Sequence, residues 1–304
     1  MNWQRILSLG SILIICILFI SASEKALTIT SESLQSDSKI KEIVRPEHIS
    51  LNVHDPVSMV KWYCKNLEMI VTREGTSPNF NYFIADSGKH IMLEIANNAD
   101  YVPINFPAVN VNSIHLAFMV KNITAIKEKL ISQGATLAKD ISTNNNGDKV
   151  MTLRDPWGLP IQFLERVKPI LKYSDLRPDH LELNVVDTRE KAKWYVDNLN
   201  FKIISHSDGP SYNMFISDTD ENIMLELNQD SNSPMLEFDK IDYNSFHLAF
   251  SVEDMVSIKE KLIKAGAKLA EDIKRTAVGD QILMLRDPWG QPIQFVKRAK
   301  PMLK

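Results

Sequence analysis

Four segments of the chain alternate polar and apolar residues and carry, on the polar side, side chains able to bind or move charge. From His48 to Val53 the apolar row is Ile49, Leu51 and Val53, which leaves His48 opposite. Ile91, Leu93 and Ile95 leave Met92 and Glu94 on the other face. In the same way Ile114, Leu116, Phe118 and Val120 leave His115, and Ile161 and Phe163 leave Gln162. The same types stand about 132 residues later as His180, Glu226, His247 and Gln294. A slip of one residue would drive these groups into an apolar core, so the alternation sets the face they occupy. Imidazole, carboxylate and amide groups on one face are donors for a divalent cation. A metal-free cup binding a polar small molecule would use the same groups.

The elements that must hold these residues occur twice. Pro46-Glu47-His48 recurs as Pro178-Asp179-His180, and Asp155-Pro156-Trp157-Gly158 as Asp287-Pro288-Trp289-Gly290. Residues 46–172 match 178–304 without a gap at roughly 45% identity, a period that means two whole domains. Within the first copy, strands are expected from His48 to Val53, Phe80 to Ala85, His90 to Ile95, Ser113 to Val120, Val150 to Leu153 and Pro160 to Leu164. Asp55-Pro56 opens a helix over Val57 to Leu67, and a second helix from Ile123 to Gln133 stops at Gly134. The Asp-Pro-Trp-Gly segment reads as a tight turn, and Cys64 as a packing residue on a helix.

Before the repeats, one arginine precedes an apolar run from Ile6 to Ile20, which ends in Ser21-Ala22-Ser23. That run falls short of the roughly 20 residues of a membrane-spanning helix. Residues 1–23 therefore read as a secretory signal peptide, 24–44 as a linker, 45–172 as the first domain and 173–304 as the second. The expected location is extracytoplasmic, periplasmic or secreted, with membrane anchoring if the segment is not cleaved. A net charge of -3 and a pI near 6.2 argue against nucleic acid as a partner. Two cysteines, Cys16 and Cys64, build neither a disulfide framework nor a Cys-rich zinc site.

The repeated pattern resembles the vicinal oxygen chelate superfamily, which groups glyoxalases, bleomycin-resistance proteins and extradiol dioxygenases. The resemblance runs from Pro46 to Lys304 and rests on His48, Ile91-Met92-Leu93-Glu94, Ile114-His115-Leu116-Ala117 and Asp155-Pro156-Trp157-Gly158 followed by Gln162. It implies an α+β fold of two tandem glyoxalase-like domains. In these, paired strand-helix-strand-strand-strand units form a curved mixed-sheet cup with helices on the outer face. It also implies a divalent metal (Zn, Ni, Co, Fe or Mn) held by residues of the set His48, Glu94, His115, Gln162, His180, Glu226, His247 and Gln294. The fourth position departs from glyoxalase I, which has glutamate where this chain has Gln162 and Gln294. Whether a cup closes within one domain or between domains stays open at this point.

By that resemblance, the function is expected to be that of an exported metal-dependent lyase or isomerase of the glyoxalase class. Its small substrate would be chelated through two neighbouring oxygens. Glu94 and Glu226 are the expected catalytic bases, one carboxylate to each cup, because an amide is no base at neutral pH. Glutathione is disfavoured as the substrate. Asn52 and Asn184 stand where glyoxalase I-like proteins carry one arginine, and Val111 and Tyr243 where they carry another. The alternatives are a non-enzymatic small-molecule binder of the bleomycin-resistance kind and a dioxygenase, the latter disfavoured by the missing glutamates.

Overall fold

Residues 44–78, 80–171, 176–207 and 212–303 are described by a computed structural model. The expected signal segment and nearly all of the expected linker lie outside the described residues. In the first repeat, β1 (Arg45–Asn52) leads into α1 (Pro56–Leu67), followed by β2 (Ile70–Arg73), β3 (Tyr82–Ala85) and β4 (Met92–Ala96). The unit then recurs as β5 (Ile114–Met119), α2 (Ile123–Ser132), β6 (Thr136–Thr143), β7 (Lys149–Arg154) and β8 (Pro160–Glu165). In the second repeat the order is β9 (Arg177–Asn184), α3 (Thr188–Leu199), β10 (Phe201–Ser207), β11 (Tyr212–Asp218) and β12 (Met224–Gln229). It closes with β13 (Phe246–Ser251), α4 (Met255–Lys264), β14 (Lys268–Arg275), β15 (Gln281–Arg286) and β16 (Pro292–Lys297).

Local chemistry accounts for the elements. The Asp55 carboxylate accepts the Ser58 backbone N–H at the start of α1, and Pro56 occupies the first turn, where no intrahelical donor is needed. The inner face of α1 buries Met59, Val60, Trp62, Tyr63 and Leu67, each contributing roughly 1.5–3 kcal/mol of apolar burial. Two strands per repeat, β2 with β6 and β10 with β14, were not placed by alternation, although the implied strand-helix-strand-strand-strand unit requires them. They lie at the sheet edges, and β6 is exposed at seven of its eight residues. Short or water-facing edge strands lack the regular buried row that alternation detects.

The strand order answers the open question of cup closure. One eight-stranded sheet runs β14-β15-β16-β13-β1-β4-β3-β2, the other β10-β11-β12-β9-β5-β8-β7-β6. Each sheet therefore joins one unit of the first repeat to one unit of the second. The seams are the antiparallel pairs β1–β13 and β5–β9. Within a repeat, the two sheets are tied through the helices. The Trp62 indole N–H donates to the Gln133 carbonyl at the end of α2, and that of Trp194 to the Ala265 carbonyl at the end of α4, each at 2.8 Å. The Tyr63 hydroxyl donates to Asp155 Oδ2 at 2.9 Å, in the Asp-Pro-Trp-Gly turn before β8. That turn is structural, as its sequence suggests. The Asp155 carboxylate accepts the backbone N–H groups of Trp157 and Leu159, and Gly158 adopts φ 87°.

Candidate metal centres

In the first sheet, register brings the polar positions of four strands into one row: Phe83 on β3 opposite Glu94 on β4, Glu94 opposite Ser50 on β1, and Ser50 opposite His247 on β13. His48 stands beside that row. Its Nε2 lies 3.0 Å from Glu94 Oε2 and 3.3 Å from His247 Nε2, and His247 Nε2 is 3.4 Å from the same carboxylate oxygen. The outer nitrogens are anchored: His48 Nδ1 is 2.7 Å from Glu47 Oε2, and His247 Nδ1 is 2.8 Å from the Tyr243 carbonyl oxygen. Asn81 donates to Glu94 Oε1 at 2.6 Å. A cavity of about 610 Å³ lined by Arg73, Glu94, Gln294 and Arg298 adjoins this centre.

The second sheet repeats the row as Phe215, Glu226, Glu182 and His115. His180 Nε2 lies 3.1 Å from Glu226 Oε2, and His115 Nε2 lies 3.4 Å from Glu182 Oε2. Behind them, His180 Nδ1 is 2.9 Å from Asp179 Oδ2 and His115 Nδ1 is 3.0 Å from the Val111 carbonyl oxygen. Asn213 donates to Glu226 Oε1 at 3.0 Å.

Behind each centre a buried arginine neutralises the carboxylate that orients a histidine. Arg298 donates to both oxygens of Glu47 at 2.7 Å, and Arg166 donates to Asp179 Oδ2 at 2.6 Å. Burial alone would raise the Glu47 and Asp179 carboxyls. Hydrogen bonds and charge from His48 with Arg298, and from His180 with Arg166, hold each at about 2. Burial opposes charge on His180, yet Asp179 and Glu226 carry its pKa to about 9, and Glu94 and Glu47 raise that of His48 in the same way. Burial, then the charge on His180, pushes His115 down to about 4. Although burial works against it, the surrounding histidines hold Glu94 well below the usual carboxylate range and lower Glu226. Burial, then the Glu226 charge, pushes Glu182 well above that range.

All eight residues singled out in the sequence lie on β-strands of these two sheets, but they divide between the repeats. His48 and Glu94 share a centre with His247, while His180 and Glu226 share one with His115. Gln294 lies on β16 beside β13, with its amide donating to Met284 Sδ at 3.4 Å. Gln162, on β8, is opposite Ala117 and Thr152. The expectation of one carboxylate to each cup is corrected at the second centre, where Glu182 joins Glu226. Alternation along β9 already placed Glu182 on the face of His180. Comparison with Ser50 in the other copy was the available signal. Asn52 and Asn184 serve structure: each side chain accepts a backbone N–H (Asn98, Asp230) and donates to two carbonyls of the loop that follows the fourth strand of its unit.

These residues fit a divalent ion. One ligand-type atom from each of His48, Glu94 and His247 lies within 4.8 Å of the others, as does one from each of His115, His180, Glu182 and Glu226. Among the described residues, Nε2 of His115 and Nε2 of His180 are buried without a hydrogen-bond partner, because the nearby carboxylates are close but poorly aligned. Orphaned imidazole nitrogens facing carboxylates are what an ion would satisfy.

Comparison with known proteins agrees with this architecture. In fold, the chain is similar to glyoxalase I from Zea mays, at 18% identity and a TM-score of 0.68, covering 84% of this chain and 93% of that one. A variant of that enzyme gives 17% and 0.69, with 85% and 94% covered. A Bacillus subtilis protein provisionally assigned as a dioxygenase gives 10% and 0.58, with 85% and 86% covered. No curated protein matches the chain by sequence. The model of the Glyoxalase/Bleomycin resistance protein/Dioxygenase superfamily matches residues 45–163 and again 177–295, so the chain belongs to that superfamily.

Proposed function

We propose that the protein is an exported, metal-dependent lyase or isomerase of the glyoxalase class, acting on a small substrate that offers two neighbouring oxygens. The observation that carries this reading is the convergence of histidine and glutamate from different repeats at each seam, within 4.8 Å. His48, Glu94 and His247 would hold one ion with Gln294 on the adjoining strand; His115, His180 and Glu226 would hold the other, with Gln162. The ion would be Zn, Ni, Co, Fe(II) or Mn. When bound, such an ion supplies Lewis-acid polarisation of a substrate oxygen. The chain supplies the proton carriers. Asn81 anchors Glu94 Oε1 and leaves Oε2, 3.0 Å from His48 Nε2, as the one oxygen that would hold the ion or, once released from it, take a proton. Asn213 does the same for Glu226 and leaves its Oε2. Gln162 and Gln294 can orient substrate but cannot accept its proton. Export is supported by the apolar run from Ile6 to Ile20 and the Ser21-Ala22-Ser23 exit. Among the described residues no helix is long and apolar enough to cross a membrane.

The test is turnover of a panel of hydroxycarbonyl compounds and hemithioacetals, with metal content measured for every variant. Glu94→Gln combined with Glu226→Gln is expected to lower turnover by about 10²–10⁴-fold when assayed at metal concentrations that keep both centres filled. Full activity of that variant at unchanged metal content would remove both glutamates from the mechanism. The second reading, a metal-free sequestering cup, is favoured by the first centre, where His48 Nε2 already lies 3.0 Å from Glu94 Oε2 and 3.3 Å from His247 Nε2 and so finds partners within the chain. Purified protein free of metal after growth in metal-replete medium would select it.

A further inference from the structure

We propose that Glu182 is itself a ligand of the second centre and makes it the tighter of two unequal divalent-cation sites. The proposal rests on the metal-binding reading above and deepens it. Across each sheet the row of facing positions is the same except at one place. The first reads Phe83, Glu94, Ser50, His247; the second Phe215, Glu226, Glu182, His115. Register leaves Glu182 little freedom: it sits directly between Glu226 on one neighbouring strand and His115 on the other. Its side chain is buried, and Oε2 lies 3.4 Å from the orphaned His115 Nε2.

The consequence is a difference of charge. At the first centre, a divalent ion would meet one carboxylate, Glu94, since Glu47 is already committed to Arg298. At the second it would meet Glu226 and Glu182, while Asp179 is committed to Arg166. Two carboxylates neutralise the ion's charge in a buried site, and affinity at oxygen-rich cation sites rises with ligand charge. The first centre keeps excess positive charge for an anionic substrate oxygen.

Zinc titration of the full chain against a competing chromogenic chelator tests this. The unmodified protein should show two classes of site differing by about tenfold or more. Glu182→Ser, which copies the first centre, should remove the tighter class and leave two weak sites. Glu182→Gln, which keeps the side-chain volume, should do the same. Ser50→Glu should convert the weak class into a tight one, so the proposal does not depend on one variant folding. Two zinc sites whose affinities are unmoved by Glu182→Ser and Glu182→Gln would overturn the role of Glu182 alone. Zinc at neither centre would overturn the metal reading together with it.

Discussion

The first and second centres share backbone, register and most side chains, yet their interiors differ in how the histidines are satisfied. At the first, His48 and His247 approach each other at 3.3 Å around one carboxylate. At the second, two carboxylates enter, and Nε2 of both histidines lacks a hydrogen bond among the described residues. The outer layers diverge too. Arg298 grips Glu47 through two hydrogen bonds and also holds Asp280, to which Arg73 donates, whereas Arg166 makes one short bond to Asp179 and a 3.5 Å contact with Asp148. Below the sheets, Asp287 pairs with buried Lys191 at 2.7 Å, while its counterpart Asp155 faces Tyr63 and, among the described residues, no lysine, because Met59 stands where Lys191 does. Duplication preserved the shape of the cup. Single substitutions within that shape changed its charge.

Substitution at one seam should break the comparison most strongly. His247→Ala is expected to abolish ion binding at the first centre and leave the second intact, and His115→Ala the reverse. Elemental analysis should then read one ion per chain in place of two. Loss of both ions from either single variant would mean the centres do not act separately.

A smaller effect is expected behind the histidines. Arg298→Met leaves Glu47 buried without its cation and should cost about 3–5 kcal/mol of folding stability. Arg166→Met should cost less, since its grip on Asp179 is the weaker geometry. Chemical denaturation of both variants checks the order, and equal losses would erase the distinction between the outer layers.

The smallest effect concerns the turns. Burial raises the Asp155 carboxyl to about 6, against its hydrogen bonds from Tyr63 and the turn backbone. A folded value above the unfolded one means that the stabilising contribution is complete below about pH 4 and is lost as pH rises through about 6. Asp155→Asn should therefore flatten that part of the stability profile by on the order of 3 kcal/mol. Denaturation midpoints across pH 4–6 that fall equally in the variant would assign the slope to another group.

The sequence by itself determined the repeat, the α+β class and the face on which every candidate ligand lies. Strand alternation is a local property, and a one-residue shift would bury His48 or Glu94 among Ile49, Leu51, Leu93 and Ile95. The edge strands β2 and β6 were less legible, because their outer surfaces face water and lack a periodic apolar row. Only the tertiary structure decided which histidine joins which glutamate. Both copies carry the same ligand types, so pairing β1 with β5 would have matched local chemistry as well as pairing β1 with β13. The long-range seams β1–β13 and β5–β9 made that choice, and with it placed Glu182 against His115.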